Sequence, residues 1–318
     1  MSTLAPPGST AAATSAVGQR RPGRRGRRDG LTAHQLFLIP VAAVFVVLFV
    51  IPLGQTAYWS FTDFSGYSTD VTFVGLKNYR LILSDASMLA GLTFTILFAI
   101  GTTLLVTVVA VPLAVALNRR FLGRNLVRSV FFFPSVPSLA ILGLVWGYIL
   151  SPLGSGVLNS ALEKLFGAGP VPWLSDANLA RGSVIAVAVW GTAGWHAVLY
   201  LAYLQSIPAE YYEVATLDGA SALQQFRRIT LPLLTPAIVI SQFLLMTGGL
   251  KVFDLPYTLT KGGPGYATQT ITQSIITSGV GQGRYGLASA LAVVFTIAVA
   301  AFSIGQLLVS RRIERSVL

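Results

Sequence analysis

Six long stretches of the sequence contain no aspartate, glutamate, lysine or arginine. An α-helix rises about 1.5 Å per residue, so about 20 apolar residues are needed to cross about 30 Å of hydrocarbon. Each stretch reaches that length, and in chain order they are Leu36–Tyr58, Leu92–Leu117, Val130–Leu150, Val184–Leu204, Leu231–Leu250 and Leu287–Val309. The sequence therefore predicts an all-α, polytopic membrane helix bundle with six transmembrane helices.

The composition excludes most other classes of protein. Of the 318 residues, 53% are hydrophobic and only 10% are charged, whereas a soluble domain has about 25% charged residues. The chain has no cysteine, which excludes disulfides, thiol nucleophiles and cysteine-ligated metals. Imidazole groups occur only at His34 and His196, so we expect no catalytic residue and no metal site.

The distribution of positive charge predicts the orientation in the membrane. Fifteen of the 22 lysines and arginines lie in the N-terminal tail, the loops after spans two and four, and the C-terminal tail. Because cytoplasmic segments carry the excess of Lys and Arg, both termini are predicted to be cytoplasmic. The net charge of +11 flanks the spans and lacks an aromatic or groove-reading pattern. We therefore expect contact with anionic membrane lipid and no nucleic-acid partner.

Two regions divide the chain. Residues 1–30 are rich in Ala, Ser, Thr, Gly, Pro and Arg and are predicted to form a disordered, Arg-rich cytoplasmic tail. Residues 31–318 are predicted to form one six-span membrane domain. A cleaved signal peptide is the alternative for the first apolar stretch. That stretch has 23 residues, more than the usual apolar core of about 7–15 residues, which favours an uncleaved span.

Three segments on the predicted external side are each longer than 30 residues: Trp59–Gly91, Ser151–Ser183 and Lys251–Gly286. Loops of that length without structure of their own are uncommon in compact proteins. We expect these segments to be ordered against the bundle or against a partner.

The predicted cytoplasmic loop between spans four and five, Gln205–Thr230, has the pattern of a helix, a turn and a second helix. Ser206 could cap the first helix, with Glu213 near its positive end. The pair Asp218-Gly219 would end that helix, because glycine tolerates the left-handed conformation. The first helix is acidic, so anionic lipid would repel it, and a protein partner with a hydrophobic cleft and a basic rim suits it better.

This loop resembles a known sequence motif. Glu213-Val214-Ala215, three residues, Gly219, nine residues and then Ile229-Thr230-Leu231-Pro232 is similar to the EAA loop of binding-protein-dependent ABC importer permeases. Only Val214 departs from the E-A-A pattern. The resemblance implies the fold of a type I ABC importer transmembrane domain, with a cytoplasmic coupling helix in loop 205–230. The residues implied to couple to an ATPase are Glu213, Ala215, Asp218 and Gly219.

Further stretches resemble the carbohydrate-uptake branch of that family, of the maltose-permease (MalF-like) type. They are Trp59-Ser-Phe-Thr-Asp63, Phe73-Val-Gly-Leu-Lys-Asn-Tyr79, Phe253-Asp254 with Tyr257, and Leu259-Thr-Lys-Gly-Gly-Pro264. The resemblance implies import of a sugar, an oligosaccharide, through a bacterial cell membrane. It implies four kinds of partner: a second six-span permease subunit forming a heterodimer, two copies of a cytoplasmic ABC ATPase, an extracytoplasmic solute-binding protein, and the sugar.

The chain itself lacks the loop that would hold ATP. A G-x-x-x-x-G-K-[ST] pattern cradles nucleotide phosphates with its backbone amides, and no Gly-Lys pair occurs anywhere in the sequence. We therefore expect no cofactor on this chain, with ATP and magnesium bound by the partner ATPase, and no enzymatic activity of its own.

The path of the substrate is predicted from polar and small residues inside the spans, where they are costly and mark function. Thr192 and Trp195 are three residues apart on one helix face and could supply a hydrogen bond and an aromatic surface to a sugar. On span five, one continuous stripe has spacing i, i+3, i+4 and i+7. In maltose permeases the matching positions line the sugar site, which implies as path residues Gly191, Thr192, Trp195, Leu245, Gly248, Gly249 and Val252.

Several of these residues have a simpler interpretation. Paired glycines such as Gly248 and Gly249 often mark close packing of membrane helices. His196 more often makes a hydrogen bond between helices than a proton relay. Lys251 and Asp254, three residues apart, could form a local ion pair.

An ion-coupled secondary transporter is the alternative function. Such a protein needs titratable groups inside its spans, and only His196 qualifies. The sequence also shows no inverted repeat of the kind found in many secondary transporters. ATP-driven import is the favoured prediction.

Overall fold

A computed structural model of the protein describes residues 38–68, 70–119, 121–152 and 156–317, with side chains as far as residue 308. The predicted tail at residues 1–30 lies outside the described residues. The chain divides into two compact units, Met1–Leu53 and Gly54–Leu318. In the first unit, residues 38–53 are helical and expose their side chains. Every contact discussed below lies within the second unit.

The described residues form twelve helices; π-helical stretches lie within two of them, at Val46–Val50 and Phe226–Thr230, and a third, Thr277–Gly281, directly follows α11. The twelve are α1 (Leu38–Trp59), α2 (Lys77–Ser84), α3 (Ala86–Asn118), α4 (Arg124–Phe132), α5 (Leu139–Ile149), α6 (Val157–Phe166), α7 (Ala177–Leu204), α8 (Glu210–Leu217), α9 (Ala222–Leu250), α10 (Asp254–Thr260), α11 (Ile271–Ile276) and α12 (Tyr285–Val317). Within this part of the chain the only extended pairing is an isolated bridge between Thr62 and Phe73.

Five of these helices are long and apolar enough to cross a membrane: α1, α3, α7, α9 and α12. They correspond to five of the six predicted spans. The all-helical architecture is therefore as predicted. Helix α3 has 33 residues, more than the about 20 that a bilayer requires, so it extends beyond the hydrocarbon or crosses it at a tilt.

The third predicted span, Val130–Leu150, is not one continuous helix. Residues Arg124–Ser135 and Leu139–Ile149 form two helical pieces bent by 93° relative to each other, and only together do they reach the length of a sixth span. Pro137 lies at the break, and a proline inside a helix removes a backbone hydrogen bond. The Ser138 hydroxyl then accepts a hydrogen bond from the Ile141 amide at 3.4 Å and caps α5. The third predicted span is therefore a bent pair of helices and not one continuous helix, because the chain changes direction at Pro137.

The core forms where α3 packs against α7 and α9. Its buried residues include many with small side chains, among them Ala110, Ala114, Ala193, Ala197 and Ala237. In a membrane, helices associate through close packing and hydrogen bonds, because lipid is as apolar as the helix surface. Small side chains let the backbones of the three helices approach closely.

The first and third long segments between spans are ordered and pack on each other. The side-chain amide of buried Asn78 donates hydrogen bonds to the backbone carbonyl oxygens of Ser60 at 3.0 Å and Thr62 at 2.8 Å. The Gly286 amide donates to the Phe64 carbonyl at 2.8 Å. The predicted ordering of these segments is confirmed.

A polar turn in the first of these segments is held by Asp63. Its carboxylate accepts hydrogen bonds from the hydroxyl of Thr72 and from the Thr72 amide, the latter at 2.7 Å. The hydrogen bond from the Thr72 hydroxyl, followed by that from its amide, lowers the pKa of Asp63. Asp63 therefore stays ionised to lower pH than a free aspartate, and its two hydrogen bonds from Thr72 close the turn beside the bridge between Thr62 and Phe73.

The second long segment is organised around one buried amide, Asn159. Its nitrogen donates to the Ser151 carbonyl at 3.3 Å and the Val171 carbonyl at 3.1 Å. Its oxygen accepts from the Val171 amide at 3.1 Å and from the Trp173 indole at 2.9 Å. One side chain thus makes hydrogen bonds with four groups and connects α6 to the segment that precedes α7.

Replacing Asn159 by alanine should destabilise this segment. The substitution leaves half-buried donors and acceptors of Val171 and Trp173 without their protein partner, at a cost of up to about 1–3 kcal/mol. We expect a lower thermal unfolding midpoint for Asn159→Ala in the purified full-length protein. Asn178→Ala is the control, because Asn178 is exposed and should change stability by less than about 0.5 kcal/mol. Equal midpoints for the two variants would contradict the role of Asn159.

Candidate functional site

None of the residues of helix α8 is buried, a property that it shares with α4 in the second unit. Tyr211 and Val214 project their apolar side chains outward, and Leu217 is 88% exposed. Glu213 is also exposed on this helix. The predicted helix–turn–helix in loop 205–230 is therefore present, and it presents a mixed acidic and apolar surface.

The start of α8 differs from the prediction. Ser206 does not cap the helix, because its hydroxyl donates back to the Tyr203 carbonyl at 2.7 Å. Ala209 occupies the N-cap position without a side-chain hydrogen bond. The helix begins one turn later than expected because Pro208 separates Ser206 from the first free amides of α8.

The end of α8 is as predicted. Asp218 is the C-cap residue, and Gly219 follows with φ +76° in the left-handed region. The Ala220 amide donates to the Ala215 carbonyl at 2.9 Å, which closes the turn as in a Schellman motif. No atom lies within 4 Å of where a Gly219 side chain would start. The glycine is therefore required by the backbone conformation and not by crowding.

The turn leads directly into α9 through a second cap. The Ser221 hydroxyl accepts from the Gln224 amide at 3.4 Å, and the Gln224 side chain accepts from the Ser221 amide at 2.7 Å. These reciprocal bonds form a capping box. The short second helix of the loop is thus the first turn of α9, as the sequence predicted.

Side chains hold α8 at a defined angle to α9. The side-chain amide of Gln225 donates hydrogen bonds from Nε2 to the Thr216 hydroxyl at 3.0 Å and to the Ala220 carbonyl at 3.1 Å. The hydroxyls of Tyr212 and Thr230 are 3.1 Å apart. A cleft of about 270 Å³ lies beside these contacts, and its lining includes the ends of α3 and α7 at Asn118 and Leu204. Helix α8 is therefore attached to the ends of the core helices and not suspended on a loose loop.

A second cavity, of about 210 Å³, lies inside the bundle between α3, α5, α7 and α9. Five of the seven predicted path residues line it: Thr192, Leu245, Gly248, Gly249 and Val252. The remaining lining residues are Phe98, Thr102, Leu139, Ala188, His196 and Leu244.

The other two predicted path residues lie elsewhere. A Cβ atom at Gly191 would be 2.7 Å from Leu142 Cδ1, so this buried glycine allows α7 to pack closely on α5. Trp195 is 42% exposed on the outer face of α7. Its ring packs edge-on against the His196 ring, with the centroids 4.7 Å apart.

The paired glycines of α9 have different surroundings. A Cβ atom at Gly249 would lie 2.8 Å from the Cα of Ala99, whereas nothing lies within 4 Å of the same position at Gly248. Gly249 therefore serves the close packing of α9 on α3. Gly248 instead leaves open space in the cavity.

His196 belongs to a buried polar network. Its Nδ1 atom is 2.7 Å from the Ser241 hydroxyl, and the Tyr200 hydroxyl donates to the same Ser241 oxygen at 2.7 Å. The simpler interpretation of His196, a hydrogen bond between helices, is confirmed. Ser241 and the cavity residue Thr102 were missed by the sequence reasoning. Both are polar residues within apolar spans, and that signal could have found them.

The ion pair between Lys251 and Asp254 was a wrong prediction. Among the described residues these two do not form a salt bridge. Lys251 follows the last residue of α9, and Asp254 begins α10. Between them Phe253 has φ −139°, so the two residues do not share one helix and the i, i+3 spacing does not bring them together.

The bundle and its exposed, capped helix define the class of this protein as a membrane transport subunit. The chain belongs to the family of binding-protein-dependent transport system inner membrane components, whose family model matches residues 107–315. That match covers α7, α8 and α9 together with most of α12.

Two relatives extend the likeness over most of the chain. The trehalose/maltose transport system permease protein MalF of Thermococcus litoralis is 33% identical over 276 residues, covering 87% of this chain and 92% of the relative. The multiple sugar-binding transport system permease protein MsmF of Streptococcus mutans is 31% identical over 283 residues, covering 87% and 95%. Family membership therefore applies to nearly the whole chain.

The fold is also that of a solved transporter subunit. The crystal structure of a bacterial ABC transporter involved in the import of the acidic polysaccharide alginate matches with a TM-score of 0.77 at 23% identity. The match covers 90% of this chain and 96% of that one. The chain thus has the fold of an ABC importer transmembrane domain.

The two glycines of α9 should respond oppositely to the same substitution. Alanine is favoured over glycine in a helix by about 1 kcal/mol, so Gly248→Ala should keep or raise the unfolding midpoint. Gly249→Ala should lower it, because the added methyl group meets α3 and overpacking costs about 1–3 kcal/mol. Thermal unfolding of the two full-length variants in detergent measures the difference. A midpoint for Gly249→Ala at or above that of Gly248→Ala would refute the packing role.

Proposed function

We propose that this chain is the sugar-translocating subunit of an ATP-driven importer. The observation that carries the proposal is the exposed helix α8, which ends in a closed turn at Gly219 and is attached to the ends of the core helices. Family membership supports dependence on a binding protein, and the named substrates of the relatives, trehalose, maltose and multiple sugars, support a sugar as cargo. The cargo of this chain is proposed to be an oligosaccharide delivered by an extracytoplasmic binding protein.

Helix α8 is proposed to dock into a cleft of a cytoplasmic ATPase. The exposed carboxylate of Glu213 suits a basic group on the cleft rim, and exposed Tyr211 and Val214 suit its apolar floor. Ala215 accepts the hydrogen bond that closes the turn at Asp218 and Gly219. ATP and magnesium would be held by that partner. Two ATPase copies would serve a pair of permease subunits, this chain and a second six-span chain.

The charge distribution supports the orientation that this proposal requires. The loop around α8, the loop after span two and the two termini together carry fifteen of the 22 basic residues, and such segments remain on the cytoplasmic side. Helix α8 and both termini would therefore face the cytoplasm.

The contacts of α8 suggest how closure of the ATPase pair would open the membrane path. Movement of α8 would be passed to α9 through Gln225 and through the contact of Tyr212 with Thr230. Because α9 packs on α3, the displacement would change the cavity between these helices. Hinged rigid elements of this kind are a common basis of alternating access.

The substrate path is proposed to include the cavity lined by Thr192, Leu245, Gly248, Gly249 and Val252. Trp195 lies on the exposed face of α7, so it would meet the sugar only where this chain and the second permease face each other. Gly191 would contribute by setting the distance between α7 and α5.

Reversing the charge of Glu213 should uncouple transport from ATP. Glu213→Lys places a cation against the basic rim of the ATPase cleft, while α8 keeps its caps, so membrane insertion should remain intact. We expect ATP-coupled uptake of the sugar carried by the cognate binding protein to fall to background in proteoliposomes containing the whole complex. Glu163→Lys, a charge reversal on exposed α6, is the matched control and should retain uptake. Normal uptake by Glu213→Lys would disprove the docking role.

The energy source separates this proposal from an ion-coupled transporter. One ring nitrogen of His196 is hydrogen-bonded to Ser241, and no other titratable residue is among those that line the cavity. We therefore expect uptake to persist when proton and sodium gradients are collapsed with ionophores while internal ATP is maintained. Depleting ATP with the gradients intact should stop it. Loss of uptake on collapse of either gradient would favour the ion-coupled alternative.

A further inference from the structure

We propose that His196 presents a fixed N–H donor to the cavity and hydrogen-bonds a hydroxyl group of one sugar ring, with Ser241 and Tyr200 setting its tautomer. The inference rests on the proposed function, since it names a group that would recognise the cargo. It adds a residue that the predicted path does not contain.

The tautomer follows from counting hydrogens in the buried network. The Tyr200 hydroxyl donates its only proton to the Ser241 oxygen. Serine has one proton of its own, and the Ser241 hydroxyl has one other partner among the described residues, His196 Nδ1. We therefore assign the Ser241 proton to the bond with Nδ1, which makes Nδ1 the unprotonated nitrogen. A neutral imidazole carries one proton, so that proton is on Nε2.

The Nε2 atom is free to meet a ligand. It has no hydrogen-bond partner in the described part of the chain, yet it is not one of the buried unpaired polar atoms there. Because His196 lines the cavity, we place the unsatisfied donor toward the open space between α3, α7 and α9.

The other polar groups of the cavity can only accept. The Thr192 hydroxyl donates to the Ala188 carbonyl at 2.7 Å, and the Thr102 hydroxyl donates to the Phe98 carbonyl at 2.6 Å. Each threonine proton is therefore used within its own helix, and the lone pairs of each oxygen remain as acceptors. Nε2–H of His196 is the one side-chain donor among the residues that line this cavity.

One donor beside two acceptors is complementary to neighbouring hydroxyl groups, each of which can accept one hydrogen bond and donate another. The rest of the lining is apolar, including Phe98, Leu245 and Val252, and suits the C–H surface of a sugar ring. The volume of about 210 Å³ is below the about 300–1,000 Å³ of sites that enclose a drug-sized ligand. The cavity would hold a single ring of a longer sugar.

Ser241 and Tyr200 are positioning residues in this proposal. Both are completely buried, and neither lines the cavity. Their role is to hold the proton of His196 on the nitrogen that faces the sugar. Such control of a histidine by the partner of its other nitrogen is a general property of imidazole sites.

The tautomer can be measured directly because the chain contains only two histidines. In His34→Gln protein, full-length and in phospholipid bilayers, ¹⁵N-labelled histidine reports on His196 alone. Solid-state NMR distinguishes a protonated from an unprotonated ring nitrogen. We expect one tautomer, protonated at Nε2 and unprotonated at Nδ1. Protonation at Nδ1 in the resting protein would overturn the proposal.

Two further measurements by the same method test whether Ser241 sets the tautomer of His196 and whether His196 contacts a sugar. Ser241→Ala should replace the single tautomer with a mixture, because Nδ1 loses its only donor. A single Nε2–H tautomer in that variant would show that Ser241 does not set it. D-glucose, used as a one-ring probe, should shift the Nε2 resonance in a saturable way, with about tenfold weaker binding in Thr192→Val.

The probe experiment has two clear negative outcomes. An Nε2 resonance that does not respond to D-glucose would exclude the sugar contact. An equal response in Thr192→Val would show that Thr192 and His196 do not bind the same glucose molecule. None of these readouts depends on ATP, so their failure is distinguishable from failure of the coupling role, which the Glu213→Lys uptake assay tests.

Discussion

The constraint on which the rest of the structure depends is that lipid offers no hydrogen bonds to the polypeptide backbone. Each backbone amide and carbonyl within the membrane must find a partner inside the protein, which makes helices the default. Where a helix is interrupted, side chains provide the missing hydrogen bonds. Ser138 caps α5 after the break at Pro137. Ser221 with Gln224 caps α9 after the turn at Gly219.

A second consequence concerns what holds the helices together. Without a hydrophobic driving force between them, α3, α7 and α9 depend on close approach at small residues such as Gly249 and on hydrogen bonds such as that between His196 and Ser241. The same features create the site. One glycine of the pair on α9 closes the contact with α3, and its neighbour Gly248 leaves the cavity open.

Local sequence patterns predicted much of the fold and part of the candidate site. The spans, the left-handed end of α8 and the continuation of its turn into α9 depend on residues close together in the chain, and the structure contains all three. The predicted cap at Ser206 and the pair of Lys251 with Asp254 were wrong. In each case a nearby proline or a change of backbone direction outweighed the spacing on which the prediction relied.

The sequence by itself determined that the chain is a helical membrane protein and where its exposed acidic helix lies, because both follow from runs and spacings along the chain. Only the tertiary structure decided which polar residues meet. His196 and Ser241 are 45 positions apart, and no local pattern records their contact. The tertiary structure also decided which of Gly191, Gly248 and Gly249 pack against another helix and which one borders open space in the cavity. The role of each glycine depends on the atoms that the neighbouring helix places beside it.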